Sequence, residues 1–327
     1  MVKLNDKIAV IIPCYKVRKH ILQVIENIPS EVFAIYCVDD CCLENSGDFI
    51  VENTSDKRLT VIRHSQNQGI GGAVMSGYRK AFEDGCRIAV KIDGDGQMDP
   101  ALIDQFIAPI LKGEADYTKG NRFYTVDGIA DMPFVRLLGN AILSFFIKLS
   151  TGYWGIFDPT NGYTAIHLSV IEHLSLDKVA KRFFFENDIL FRLNIARCVV
   201  VDIPMKSKYE DEESNLKISR ILFPFLGGHV SNFVKRIIYS YFVRDFNLAS
   251  LEFVIGIALA VSGTVFGITK WIGAVEAGVP ATAGTVMVAA LQLIVALQLI
   301  LSAISYDMNA TSKRPLHRLL GKPDDRD

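Results

Sequence analysis

The chain has 327 residues, 50% of them hydrophobic, with a mean hydropathy of +0.25 and a formal net charge of −1. It is too apolar for an ordinary soluble domain and too polar for a channel. It also lacks the basic excess of a nucleic-acid binder.

The opening "MVKLNDKIAVIIP" has too short an apolar run for a signal peptide and reads as a strand. Apolar, β-branched runs predict strands at Ile8–Pro13, Phe33–Val38, Leu59–Arg63 and Ile88–Ile92. Helical patterns fit over Val17–Ile28, Gly69–Glu83 and Pro100–Lys112, the last with Asp99 as N-cap and Pro100 at its first position. Runs buried on both faces and separated by helices imply a mostly parallel α/β sheet. Such sheets bind ligands beyond the carboxyl ends of their strands. "IIPCYK", "VDDCC" and "IDGDGQ" all fall there. The cysteines (Cys14, Cys37, Cys41, Cys42, Cys86 and Cys198) show no Cys-x-x-Cys spacing. They read as small buried hydrophobes in a reducing compartment.

In "DGDGQMDP" the carboxylates crowd a strand-end turn, and a divalent cation with hard oxygen ligands removes their repulsion. Asp93 and Asp95 can point to one ion, Gly94 lets the backbone bend, and Gln97 can add a neutral oxygen. Together "VIIPCYK", "VDDCC", "NQGIGGAVMSGYRKA", "DGDGQMDP", "GNRF" and "DPTNGYTAI" make the chain resemble the family 2 glycosyltransferases of GT-A fold. The resemblance is to the branch with dolichol-phosphate mannose synthases and polyprenyl-phosphate glycosyltransferases, in which a two-span C-terminal anchor recurs. It implies that Pro13 and Tyr15 line the nucleotide entry and that Asp39 or Asp40 binds the base or ribose. It further implies that Asp93, Asp95 and Gln97 hold Mg²⁺ or Mn²⁺ on the diphosphate, and that Arg122 lies near the diphosphate or the acceptor. The small residues Gly72, Ala73, Ser76 and Gly77 read as close-packing positions rather than a dinucleotide fingerprint.

Glu186 and Asp188, at the start of a helix, occupy the place of the acidic base in related transferases, with Asp188 preferred and Glu186 in reserve; helix capping is the rival reading. Where the branch typically has an Arg and a Ser-Lys closing over phosphate, this chain offers Lys206, Lys208, Ser214 and Lys217, with an acidic run at Glu210–Glu213. Residues 217–247 mix basic and apolar positions, as amphipathic helices broken near Pro224 and Gly227-Gly228 would, or as a pair of core helices. Two nearly uncharged stretches within 248–306 are each long enough to cross about 30 Å of hydrocarbon. Lys235, Arg236 and Arg244 before them and Lys313, Arg314, Arg318 and Lys322 after them place both ends in the cytoplasm. Gly256, Gly263 and Gly267 could serve association into a homo-oligomer.

The expected organisation is a GT-A domain over 1–216, interfacial helices over 217–247, two transmembrane helices over 248–306 and a basic cytoplasmic tail over 307–327. The expected reaction is metal-dependent, inverting transfer of a hexose from a nucleotide sugar, UDP-linked ahead of GDP-linked, to polyprenyl phosphate. Transfer to a hydroxyl of a lipid-linked saccharide is the alternative. A non-catalytic nucleotide-binding scaffold at the membrane would have no use for Asp93 and Asp95.

Overall fold

The computed structural model describes residues 7–124, 134–205 and 218–320. Seven strands form one sheet: β1 (Ile8–Cys14), β2 (Ala34–Asp39), β3 (Leu59–Arg63), β4 (Ile88–Lys91), β5 (Tyr117–Asn121), β6 (Thr164–His167) and β7 (Val200–Pro204). Their order is β3-β2-β1-β4-β6-β5-β7. Only β6 runs antiparallel to its neighbours. All of β2 and β4 and nearly all of β1 is buried, as expected for apolar runs covered on both faces.

Four helices lie between the first five strands: α1 (Ile21–Glu26), α2 (Ser46–Asn53), α3 (Ile70–Glu83) and α4 (Ile103–Leu111). The first is shorter than the sequence pattern predicts, and α2 is an element that the pattern does not reveal. Before α4, Pro100–Leu102 forms a 3₁₀ turn capped by Asp99, whose carboxylate accepts the Ala101 amide. Gly77 is a close-packing position: a Cβ there would lie 2.3 Å from Ile11 Cγ2. Two further helices, α5 (Phe134–Thr151) and α6 (Phe185–Ile195), pack together beside the sheet.

The chain divides into two compact units, 1–233 with 312–327, and 234–311. These bounds differ from the sequence-based division in two places. First, α7 (Ile218–Ile238) is unbroken through Pro224 and Gly227-Gly228. Its first part belongs to the sheet unit, where a Cβ at Gly228 would lie 2.9 Å from the Phe184 ring. Second, residues 312–320, after the apolar helices, belong to the sheet unit.

The second unit is dominated by α8 (Leu248–Ala277) and α9 (Ala283–Asn309). Both are long and apolar enough to cross a membrane, and only 11% of each apolar window is buried within the fold, unlike core helices. Gly256 and Gly263 face α9, where added Cβ atoms would lie 2.9 Å from Ile300 and Gln292 respectively. These glycines therefore serve the pairing of α8 with α9, so their presence is no argument for association between copies. Arg236 is buried against Asp307, with Nη1–Oδ1 at 2.5 Å and Nη2–Oδ2 at 2.9 Å, and is thus not a free flanking charge.

Candidate active site

β2, β1 and β4 are parallel neighbours, with Cys14 level with Asp39 and Ile11 level with Lys91. The segments carrying Pro13 and Tyr15, Asp39 and Asp40, and Asp93 to Gln97 therefore leave the sheet side by side at one edge. Pro13 is partly covered and Tyr15 is exposed at the rim.

Asp39 and Asp40 are both buried, and their oxygens are already engaged. Asp39 accepts the amides of Cys42 at 2.8 Å and Gly47 at 2.7 Å. Asp40 accepts the amides of Gln68 at 2.8 Å and Gly69 at 2.7 Å. His64 Nδ1 lies 2.7 Å from Asp40; since a carboxylate only accepts, Nδ1 carries the proton, and in the neutral ring Nε2 accepts from Ser76 at 2.9 Å. The two aspartates thus organise the loops at this edge. A nucleotide contact would have to share oxygens that already hold backbone amides.

Asp93, Asp95 and Gln97 are half-buried in a turn made possible by Gly96, at φ +82°. Asp95 accepts the Gln97 amide at 3.0 Å. Lys91 Nζ lies 2.6 Å from Asp93 Oδ1 and is itself 1% exposed. Gly162 closes over this pair: a Cβ on it would lie 2.6 Å from Lys91 Nζ and 2.7 Å from Asp93 Oδ2. Among the described residues no cluster of three or more His, Cys, Asp or Glu is arranged to hold a metal. Mg²⁺ in phosphate-binding sites commonly uses one or two carboxylates and completes its shell with water and substrate phosphate. Two carboxylates and a neutral amide in a glycine-bent turn fit that requirement.

The two candidate bases sit in different surroundings. Asp188 Oδ2 accepts from the Ala180 amide and Arg192 Nε, both at 2.9 Å, and Oδ1 accepts from Asn232 at 3.0 Å. Its carboxylate is thus consumed in fastening α6. Glu186 instead feels Lys91, Lys119 and Asp93. Burial raises its carboxyl above the ordinary range, although the two lysines pull it down. Arg122 is held bidentately by the buried Asp158, with Nε–Oδ2 at 2.6 Å and Nη2–Oδ1 at 3.0 Å. Lys206, Lys208, Ser214 and Lys217 lie outside the described residues.

Sequence reasoning missed Lys91, Lys119, Asp158 and Gly162 as site groups. Burial lowers the Lys119 ammonium to about 8, and its Nζ donates to the Asn161 carbonyl. The available signal was a lysine within each of two strands otherwise buried on both faces. All six cysteines are free, and Cys41 alone is exposed.

Residues 9–175, just over half of the chain, match the pattern of glycosyl transferase family 2. The chain belongs to that family. It is 31% identical over 218 residues to the UDP-N-acetylglucosamine–dolichyl-phosphate N-acetylglucosaminyltransferase of Methanococcus voltae, covering 62% of this chain and 86% of that one. It is 24% identical to the polyprenol monophosphomannose synthase of Mycolicibacterium smegmatis, covering 62% and 78%. Among solved structures it resembles glucosyl-3-phosphoglycerate synthase from Mycobacterium tuberculosis, crystallised with Mn²⁺, UDP-glucose and phosphoglyceric acid. That likeness has a TM-score of 0.51 at 15% identity, covers 72% of this chain and 80% of that one, and shows the fold. This family 2 glycosyltransferase therefore carries Asp93, Asp95 and Glu186 at the carboxyl edge of a GT-A-like sheet.

Proposed function

We propose that the enzyme transfers a sugar from a UDP-linked donor to polyprenyl phosphate at the cytoplasmic face of a membrane, with inversion at the sugar carbon. The observation that carries the reading is the glycine-bent turn of Asp93, Asp95 and Gln97 beside Glu186, in a chain with two helices apolar enough to span a bilayer. The names of the relatives support lipid phosphate as acceptor, and the first of them supports a UDP-linked donor.

Asp93, Asp95 and Gln97 would hold Mg²⁺ or Mn²⁺, which when bound supplies positive charge to a departing diphosphate. Lys91 fixes the Asp93 carboxylate, and Gly162 leaves room for it. The lipid phosphate is already anionic at neutral pH, so attack requires orientation more than proton removal. The test is a panel of sugar nucleotides incubated with the membrane-embedded enzyme and undecaprenyl phosphate, with label followed into the lipid phase. Transfer that EDTA abolishes and Mn²⁺ restores is the expected result; EDTA-insensitive transfer would overturn the metal assignment.

The position of Glu186 favours a second reading, in which the acceptor is a hydroxyl of a lipid-linked saccharide and Glu186 removes its proton. Glu186→Gln then costs about 10²- to 10⁴-fold in turnover. With a phosphate acceptor, turnover is largely kept.

A further inference from the structure

Asp116, immediately before β5, is a fully buried carboxylate at 0% exposure. It lies at the edge of the sheet opposite Asp93, because β5 runs parallel to β4 through the intervening antiparallel β6. One of its donors comes from beside the neighbouring strand β7, the Val199 amide at 2.8 Å. The other three come from about two hundred residues away, beyond the apolar helices. The amides of Leu316 and His317 each donate at 2.8 Å, and His317 Nδ1 lies 2.7 Å away. The His317 ring stacks on His167, with centroids 4.4 Å apart and planes 16° from parallel. Leu316 packs against the core, and Pro315 is buried. Arg318 crosses Gly113, where a Cβ would lie 2.8 Å from Arg318 Nε.

This is a built site, and a carboxylate with no exposure is tolerated only with its partners in place. Burial alone would raise the Asp116 carboxyl, but its donors, the His317 ring foremost, hold it below the usual range.

We propose that residues 312–320 are a strap: the chain returns from the apolar helix pair and docks on Asp116, His167 and Gly113, completing the sheet unit. The catalytic unit is thereby tethered through the chain on both sides of α8 and α9. The consequence for activity, which rests on the reading in "Proposed function", is that the strap governs use of a lipid-embedded acceptor and leaves donor binding alone.

The test uses the full-length enzyme in lipid nanodiscs. Hydrogen exchange at Leu316, His317 and Val199 should be strongly slowed in the wild type. In His317→Ala, exchange at the Leu316 amide and at the amide of position 317 should accelerate at least tenfold. The KM for undecaprenyl phosphate should rise severalfold, with the Kd for UDP unchanged. Asp116→Asn could disturb β5 itself, so a chain ending at Thr311 serves as the second variant: exchange at Val199 should accelerate, the KM for undecaprenyl phosphate should rise severalfold, and the Kd for UDP should not change. Unprotected Leu316 and His317 amides in the wild type would overturn the docking, whatever the enzyme's acceptor proves to be. Released amides with an unchanged acceptor KM, or with UDP binding lost in proportion, would overturn the anchoring role. If no lipid phosphate is glycosylated, the reading of the reaction fails while the exchange measurement still decides the docking.

Discussion

Asp188→Asn separates a structural carboxylate from a catalytic one. Asp188 is 5% exposed and accepts from three donors, on Ala180, Arg192 and Asn232. Asparagine keeps one acceptor oxygen, which can stay with the Ala180 amide. Its new amide group can face Asn232, which is able to turn its own amide to accept. What cannot be recovered is the negative charge opposite Arg192, whose Nε is 2.9 Å away on the next turn of α6 and whose side chain is only 16% exposed. A charge-assisted hydrogen bond of this kind contributes about 1.5–3 kcal/mol. For a unit of this size, that corresponds to a fall in melting temperature of roughly 3–12 °C. Thermal unfolding of the purified variant, paired with initial rates well below its melting point, gives both quantities. The expected result is a clear loss of stability with turnover per folded molecule retained to within a few-fold. An unchanged melting temperature with turnover down by about 10² or more would restore Asp188 as the base and refute the reasoning.

Gly162→Ala places a methyl 2.6 Å from Lys91 Nζ and 2.7 Å from Asp93 Oδ2, so Asp93 must shift; misplacement on the ångström scale costs about 10²-fold, read as a raised Mn²⁺ requirement in a metal titration of activity made well below the variant's melting temperature. Gly77→Ala overpacks β1 against α3, because its Cβ would lie 2.3 Å from Ile11 Cγ2. It should cost about 1–3 kcal/mol in urea unfolding, and Ile11→Ala in the same chain should recover part of that loss. Burial lowers the His229 imidazole to about 4, so the folded protein holds it neutral where the unfolded chain protonates. The unfolded state then binds more protons between about pH 6.5 and 4, and His229 contributes stability at neutral pH that falls by about 1.4 kcal/mol per pH unit across that window. Asp202, raised to about 6 by burial, has the opposite slope below its own pKa, so the share due to His229 is read as the difference between wild type and His229→Asn in unfolding at pH 5 and pH 7.

Much of the sheet edge was legible because its signals are local. An apolar run ending in a polar cluster announces a buried strand and its carboxyl end, as at Ile88–Lys91 followed by Asp93 and Asp95. The cap at Asp99 followed from residue type and spacing alone. The partners of Asp188 were hidden because Asn232 lies 44 residues away and the Ala180 amide is aimed by a loop, neither of which a spacing rule reveals. One local clue was present: Arg192 stands four residues after Asp188, the spacing of a helical ion pair. The continuity of α7 through Pro224 and two glycines was hidden for a similar reason. Phe184 and Ser150 supply tertiary partners to Gly228 and His229, and packing overrides poor helix propensity. The docking of His317 on Asp116 joins residues 201 apart and leaves no periodic trace.

The buried lysines complete the physical account of the site. Lys91 and Lys119 stand level with Thr164 on either side of β6, and Asp202 is level with Lys119 on β7. Residues at one level of adjacent strands share a face of the sheet, so a row of Lys, Thr, Lys and Asp crosses four strands. The charge of Glu186 acts on both lysines, and that of Asp93 on Lys91 at 2.6 Å. Ions removed from water this completely are tolerated only when each is opposed by another, and removing one exposes its partners to the full cost. Asp93 is therefore oriented by the protein's own charges before any ligand arrives. An arrangement fixed in advance is what stabilises developing charge without reorganisation at that moment, and the lysine that ends the otherwise apolar β4 fixes the Asp93 carboxylate in that way.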